Sequence, residues 1–409
     1  MKLNILDYKK IIFGLPFFLI FVVNLFITRT EGFEYGGDLA IFTGISTFIS
    51  MVFSNRWDVE ILVKKEENMS KSLSSGIYSV IFLGTISLIS YYLISSIGWA
   101  EGFNVLLIYT AILVALYELH INVLLKKERF FSFIVLRALP HLILVIFVLL
   151  KFSPAFSWFF AFSISVISIL LLININLREV WDLSSDPYKA LKNSRRMIVP
   201  SLSALIANSI TVLWLLIISI KYGSYEAGVW INAYRITSLP IAFCGAVVMP
   251  LVLLSIGTKE FYKEKFIEMF NFSYLLVFVF LIMSACLFIN GENIFNFLTK
   301  SNYLIGNITL FSILIIAFIQ FLMQYWKELF QSINMTLPIL IILSIELLLT
   351  LLIYFGVEIG SFSNFINLIL SITVLCLTLI LILITVSYLK LKQLKSLVNT
   401  DDSNQNLNT

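Results

Sequence analysis

A run of about 20 apolar residues is the length that crosses the ~30 Å hydrocarbon layer of a bilayer as a helix. This chain of 409 residues repeats such runs from end to end. Hydropathy places twelve of them, at 11–28, 38–54, 73–96, 103–125, 131–150, 154–176, 197–220, 228–256, 270–290, 304–326, 336–356 and 364–389. Lipid cannot satisfy free backbone N–H and C=O groups, so a spanning segment is a helix or part of a closed barrel. Barrel strands alternate apolar and polar residues, and these runs do not. Only 13% of the residues are charged and 59% are hydrophobic, against about 25% charged in a water-facing chain. Most of the surface must therefore meet lipid, and an all-α polytopic membrane protein with twelve transmembrane helices is expected.

The basic residues orient the spans. With the N-terminus inside, only Arg29, Lys151, Lys221 and Lys300 of the 28 Lys and Arg residues fall in outside loops, and only Arg137 and Arg235 fall within spans. The rest lie on the cytoplasmic side, as the positive-inside rule requires, which puts both termini in the cytoplasm. Lys9 and Lys10 precede the first run as in a signal peptide, but no small-residue cleavage site follows, so an uncleaved first helix is expected. The longest inside loop sits at the midpoint and divides the chain into an N-terminal six-helix bundle (1–177), a linker (178–196), a C-terminal six-helix bundle (197–389) and a polar tail (390–409). From Val398 onward the tail is expected to be disordered. A weak echo links the halves. When Gly37 is set against Gly228, Ile45 meets Ile236 and Ser46 meets Thr237.

Several chemistries are excluded. Cys244, Cys286 and Cys376 lie in separate apolar runs, as do His120 and His141, so neither a disulfide framework nor a zinc site is supported. No Walker loop, Gly-rich dinucleotide motif or Ser-His-Asp set is present. No cofactor, no metal and no enzymatic activity are expected. The net charge of +4 is accounted for by the inside loops and does not indicate nucleic acid.

The intramembrane charges are the candidate functional residues, because a charge in lipid needs a partner or a wet cavity. Arg235 shares a helical face with Gly228, Asn232 and Ser238. Its planar fork suits a diphosphate, or it pairs with an acid on another helix. Arg137, with Pro140 and His141 following, either lines the same cavity or snorkels to headgroups. Glu346 in the eleventh span and Glu118 in the fourth are candidates for ion coupling; each has a structural alternative, Glu346 as the partner of Arg235. Thr43, Ser46, Thr47, Ser50 and Ser54 form a polar stripe on the second span, and Gln320, Gln324, Lys327 and Gln331 another on the tenth. Such stripes line paths or glue helices. Trp57, Trp99, Trp158 and Trp181 fall near expected membrane interfaces.

Two segments carry a family resemblance. Gly223-Ser224-Tyr225-Glu226-Ala227-Gly228-Val229-Trp230-Ile231-Asn232-Ala233-Tyr234-Arg235-Ile236-Thr237-Ser238-Leu239-Pro240 resembles the start of the eighth helix in polysaccharide flippases. Tyr35-Gly36-Gly37-Asp38-Leu39-Ala40, through Asn55-Arg56-Trp57-Asp58, resembles their second helix. Those flippases share a superfamily with multidrug-and-toxin extruders and the lipid II flippase. The resemblance implies two six-helix bundles around a central cavity in the bacterial cytoplasmic (inner) membrane. A sugar headgroup would cross there while its polyprenyl tail stays in lipid. It also implies cavity cations on the second and eighth helices, which Arg56 and Arg235 match by position, although the first span lacks the arginine some relatives carry. The implied partners are a lipid-linked oligosaccharide, membrane lipids, a polysaccharide polymerase and chain-length proteins.

The expected function is therefore a flippase for an undecaprenyl-pyrophosphate-linked oligosaccharide, such as an O-antigen or capsule repeat unit. The substrate-binding candidates are Arg235, Asn232, Arg56 and Arg137, and the ion-coupling candidates are Glu346 and Glu118. The alternative is a cation-coupled small-molecule exporter of the same superfamily. A polymerase or ligase would need a large outside catalytic loop, and every outside loop is short.

Overall fold

The computed structural model describes residues 15–55, 57–63, 69–96, 104–127, 129–176, 198–258, 262–300, 305–332, 336–356 and 360–405. Among the described residues there are helices and no strands. In chain order the helices are α1 (Leu15–Ser54), α2 (Trp57–Val63), α3 (Met69–Ser96), α4 (Leu106–Lys126), α5 (Phe130–Leu149), α6 (Pro154–Asn176), α7 (Ile198–Tyr222), α8 (Ser224–Thr258), α9 (Tyr262–Thr299), α10 (Asn307–Ser332), α11 (Thr336–Gly356) and α12 (Phe362–Gln405). Nine helices among the described residues are long and apolar enough to cross a membrane. Large apolar side chains face outward along them, such as Ile81, Phe82, Ile89 and Leu93 on α3 and Tyr274, Phe278, Leu281 and Ile282 on α9. A water-soluble fold does not leave faces of that extent bare. The chain is a polytopic helical membrane protein.

Three elements depart from the hydropathy map. The expected outside loop between the first two spans is helical except at Gly32, whose φ of 89° and ψ of 175° break α1 into two arms. An added Cβ there meets nothing within 4 Å, so the position requires glycine for its backbone angle and not for space. The ninth span extends past its expected end to Thr299, with a break at Asn290. The last helix runs on to Gln405, through the stretch from Val398 expected to be disordered. No Gly or Pro occurs between Phe362 and Gln405 to stop it.

The two halves pack by the same plan. In the first, α4 packs on α1, on α3 and on α6, while α5 packs on α6 and on α1. In the second, α10 packs on α8, α9 and α12, while α11 packs on α12 and α7. Each contact has its counterpart, which is what a parallel repeat of six elements produces. One core holds Val114, Tyr117, Leu136, Leu144, Phe162 and Ile169, and a neighbouring one holds Phe53, Trp57, Leu73 and Leu119. A third holds Trp214, Trp230, Leu314, Phe365 and Ile369, and takes in Leu25, Phe33 and Ala40 from α1.

α1 is the main bridge between the halves. It packs on α7 and most extensively on α8. The approach is closest at two glycines. A Cβ on Gly37 would overlap the Ser224 carbonyl oxygen and lie 2.9 Å from the Gly228 nitrogen, and one on Gly228 would overlap the Phe33 carbonyl oxygen. Phe33 precedes Gly37 by the same interval as Ser224 precedes Gly228. The contacts are thus reciprocal, as at the axis of a two-fold dimer, and they follow the register of the sequence echo. The Thr28 hydroxyl donates to Asn232 Oδ1 at 3.0 Å beside this seam. The Arg29 guanidinium donates to the Leu298 and Phe297 carbonyls at 2.5 and 2.6 Å. Phe33 packs edge-on against Tyr225 and stacks with Phe295.

Candidate functional site

A cavity of about 290 Å³ opens below this seam, among α1, α4, α5, α6 and α8. Its walls include Asn24, Thr43 and Thr47 from α1, Tyr117 and Glu118 from α4, Arg137, Pro140 and His141 from α5, Trp158 and Phe162 from α6, and Arg235 from α8. Most of the wall belongs to the first half; Arg235 reaches in from the second.

Glu118 and Arg137 are brought together by the α4–α5 hairpin. Its turn closes at Lys127 and Arg129, where the Arg129 N–H donates to the Leu124 carbonyl at 2.9 Å. Two antiparallel helices that leave one turn place residues equally far from it at the same depth. Glu118 and Arg137 satisfy that, and Arg137 Nη1 donates to both carboxylate oxygens at 2.6 Å. Their side chains are 30% and 24% exposed, toward the cavity.

Arg235 lies about 16 Å along the axis from the start of α8 at 1.5 Å per residue, in the first half of this 35-residue helix. Its guanidinium has no hydrogen-bond or ion-pair partner among the described residues. The sequence alternative that it pairs with Glu346 does not hold in this structure. Glu346 is fully buried in the second half, its Oε1 accepts from Gln320 Nε2 at 2.7 Å, and its Oε2 has no partner among the described residues. With two arginines and one carboxylate, the cavity carries an excess positive charge on its wall.

The other sequence candidates fall elsewhere. Asn232 is fully buried at the α1–α8 seam, where it accepts from Thr28 and donates to the Gly228 carbonyl. It does not line the cavity in this structure, although it shares a sequence face with Arg235. Arg56 lies outside the described residues. The polar stripe on α1 divides: Thr43 and Thr47 face the cavity, while the Ser46 and Ser50 hydroxyls donate to the Thr43 and Thr47 carbonyls. On α10, Gln320 serves Glu346, and the side chains of Gln324, Lys327 and Gln331 lie outside the described residues.

Sequence reasoning missed the aromatic wall. Trp158, expected at a membrane interface, is only 6% exposed and lines the cavity. Tyr35 of α1 covers this end of α6 through hydrogen bonding with Ser157 and the Phe152 carbonyl. Trp57, also expected at an interface, is buried against α3 and α4, and Trp99 and Trp181 lie outside the described residues. The usable signal was the helical spacing of Trp158 and Phe162, combined with the short α5–α6 turn that brings them level with His141.

No protein-family model and no curated protein matches the sequence. Solved structures do match the fold. A multidrug resistance MATE family transporter of the MOP superfamily, in an outward-facing conformation, has a TM-score of 0.64 at 13% identity over 94% of each chain. The eukaryotic MATE transporter AtDTX14 has a TM-score of 0.64 at 16% identity, covering 92% of this chain and 93% of its own. A MOP superfamily transporter from Pyrococcus furiosus has a TM-score of 0.61 at 12% identity over 94% of each chain; its binding pocket is described as having reverse polarity that suggests a different function. At these identities the likeness is one of fold: nearly the whole chain adopts the architecture of MATE transporters.

Proposed function

We propose that this chain of MATE-like fold translocates an undecaprenyl-pyrophosphate-linked oligosaccharide across the bacterial cytoplasmic membrane. The observation that carries the reading is the Arg235 guanidinium, which α8 brings to the wall of a cavity otherwise lined by the first half and which has no partner among the described residues. Burying a charge without compensation is expensive, and an anionic ligand in the cavity supplies the compensation. A guanidinium binds paired phosphate oxygens through two parallel bonds. Arg137, already tied to Glu118, adds positive field beside it. In this reading residues 1–177 and 197–389 are the two six-helix bundles, 178–196 links them, both termini and the 390–409 tail are cytoplasmic, and the bundles rock about the α1–α8 seam. Asn232 then acts by fixing that seam, and Arg56 contacts the substrate from the cytoplasmic end of the second span. Glu346 or Glu118 carries a coupled ion, and a polysaccharide polymerase and chain-length proteins receive the product.

The second reading is a cation-coupled small-molecule exporter. It is favoured by the likeness to multidrug transporters and by Glu118 on the cavity wall. The ion pair with Arg137, whose Nη1 reaches both carboxylate oxygens, neutralises that carboxylate, which weighs against an organic cation as substrate. Deleting the gene and extracting the lipids separates the two. Build-up of a lipid-linked oligosaccharide supports the flippase, whereas a normal lipid profile with new drug sensitivity supports the exporter. In the deletion strain, Arg235→Ala at normal protein level is expected to abolish complementation and Arg235→Lys to retain part of it. Full activity of Arg235→Ala would remove this residue from the site.

A further inference from the structure

The cavity's aromatic wall has unmet hydrogen-bonding capacity. His141 and Trp158 meet edge to face with ring centroids 5.4 Å apart, and Trp158 meets Phe162 at 4.8 Å. Trp158 Nε1 and His141 Nδ1 are both buried and have no hydrogen-bond partner among the described residues. An indole N–H only donates, while Nδ1 donates or accepts according to tautomer. Two such atoms on adjacent rings are unusual, because buried polar atoms are nearly always paired. They belong to the same cavity as the carboxylate of Glu118, each oxygen of which takes one bond from Arg137 and retains further acceptor capacity.

A ligand that matches this wall has an apolar face for the rings, an oxygen acceptor for the indole N–H and hydroxyl donors for Glu118. It also has an anion next to it for Arg235. A flat aromatic cation would stack equally well but meets the guanidinium groups of Arg137 and Arg235 on the wall of the same cavity. We propose that Trp158, Phe162 and His141 form a pyranose subsite that stacks the sugar ring attached directly to the diphosphate, with Trp158 Nε1 donating to an oxygen of that sugar. The subsite rests on the reading of Arg235 as the diphosphate-binding cation. A cavity of about 290 Å³ is at the small end of ligand sites, which run from about 300 to 1,000 Å³. It suits one sugar ring with its phosphates and not a whole repeat unit, so recognition falls on the first sugar.

The test uses the full chain in lipid nanodiscs and two soluble probes measured by titration calorimetry: inorganic pyrophosphate and a hexopyranose 1-diphosphate capped with a methyl group. The wild-type chain is expected to bind the hexose probe about tenfold or more tightly than pyrophosphate. Trp158→Phe keeps an aromatic face, smaller than the indole, and removes the donor. It should weaken the hexose probe about five- to tenfold, the worth of one hydrogen bond, and leave pyrophosphate unchanged. Trp158→Leu should abolish the preference, while Arg235→Ala weakens both probes. If pyrophosphate binds through Arg235 but the hexose adds nothing, or its preference survives both Trp158 variants, the sugar subsite is wrong and the diphosphate reading stands. If pyrophosphate binding is absent or indifferent to Arg235→Ala, the diphosphate reading itself falls and the subsite with it.

Discussion

Replacing Gly228 with alanine puts a methyl group where the Phe33 carbonyl oxygen already is, and 3.0 Å from the Phe33 Cα. Both neighbours are backbone atoms, so no rotamer change relieves the overlap and α1 and α8 have to part. Forcing an extra carbon into a packed site costs about 1–3 kcal/mol, which is roughly a five- to 150-fold change in an equilibrium. The closed seam should lose that factor against any arrangement in which these backbones separate. Lys151 and Lys300 are exposed, lie on opposite halves and sit at the seam end of the molecule. With Cys244, Cys286 and Cys376 replaced, spin labels at Lys151→Cys and Lys300→Cys report the separation by pulsed electron spin resonance. Gly228→Ala is expected to move population toward longer distances and to lower the thermal midpoint. Gly306→Ala, where an added Cβ meets nothing within 4 Å, should do neither. A distance distribution for Gly228→Ala that superimposes on the parent, with an unchanged midpoint, refutes the reasoning.

Other substitutions probe the charged groups. Glu118→Gln removes the charge that accepts from Arg137 Nη1 and is expected to cost about 1–3 kcal/mol, seen as a lower unfolding temperature in detergent. The double variant Glu118→Gln/Arg137→Gln should recover most of that loss, and a double variant no more stable than the single one would argue against the pair. Arg29→Ala removes two bonds to the last carbonyls of α9 and should broaden the Lys151–Lys300 distances; Arg29→Lys, which lacks the fork, should restore only part of the order. Glu346→Gln keeps an acceptor for Gln320 and removes a buried ionisable group, so it should not lower the unfolding temperature. If Glu346 carries the coupled ion, the same variant uncouples transport from the ion gradient, and unchanged coupling in reconstituted vesicles excludes it.

Hydropathy located the apolar runs on which the long helices are built, because moving apolar side chains into lipid dominates their energetics. It misjudged their ends. Arg29, Thr30, Glu31 and Glu34 read as a loop, yet polar side chains at an interface do not unwind a helix, and only Gly32 leaves the helical region. Arg235 was legible as a lone cation in an apolar run. Glu118 and Arg137 were each visible as oddities, but their pairing required folding the hairpin about its turn. Trp158 was misread because the first turn of a span normally faces the interface. It packs instead against His141 of α5 and Phe162, and which face of the first turn meets a neighbouring helix is not encoded by any local pattern.

The reciprocal seam of Gly37 and Gly228 also bears on how such a chain changes over generations. A joint that is its own image under rotation is inherited twice in one polypeptide, and either copy can spoil it alone. Drift is therefore free on the lipid-facing surfaces, where one oily residue serves as well as another, and narrow along the axis, where both copies must remain without side chains. Away from the axis the two copies can specialise. Gly44 occupies the register position that Arg235 holds in the other half, so the halves match at the joint and differ in the charge they bring to the cavity.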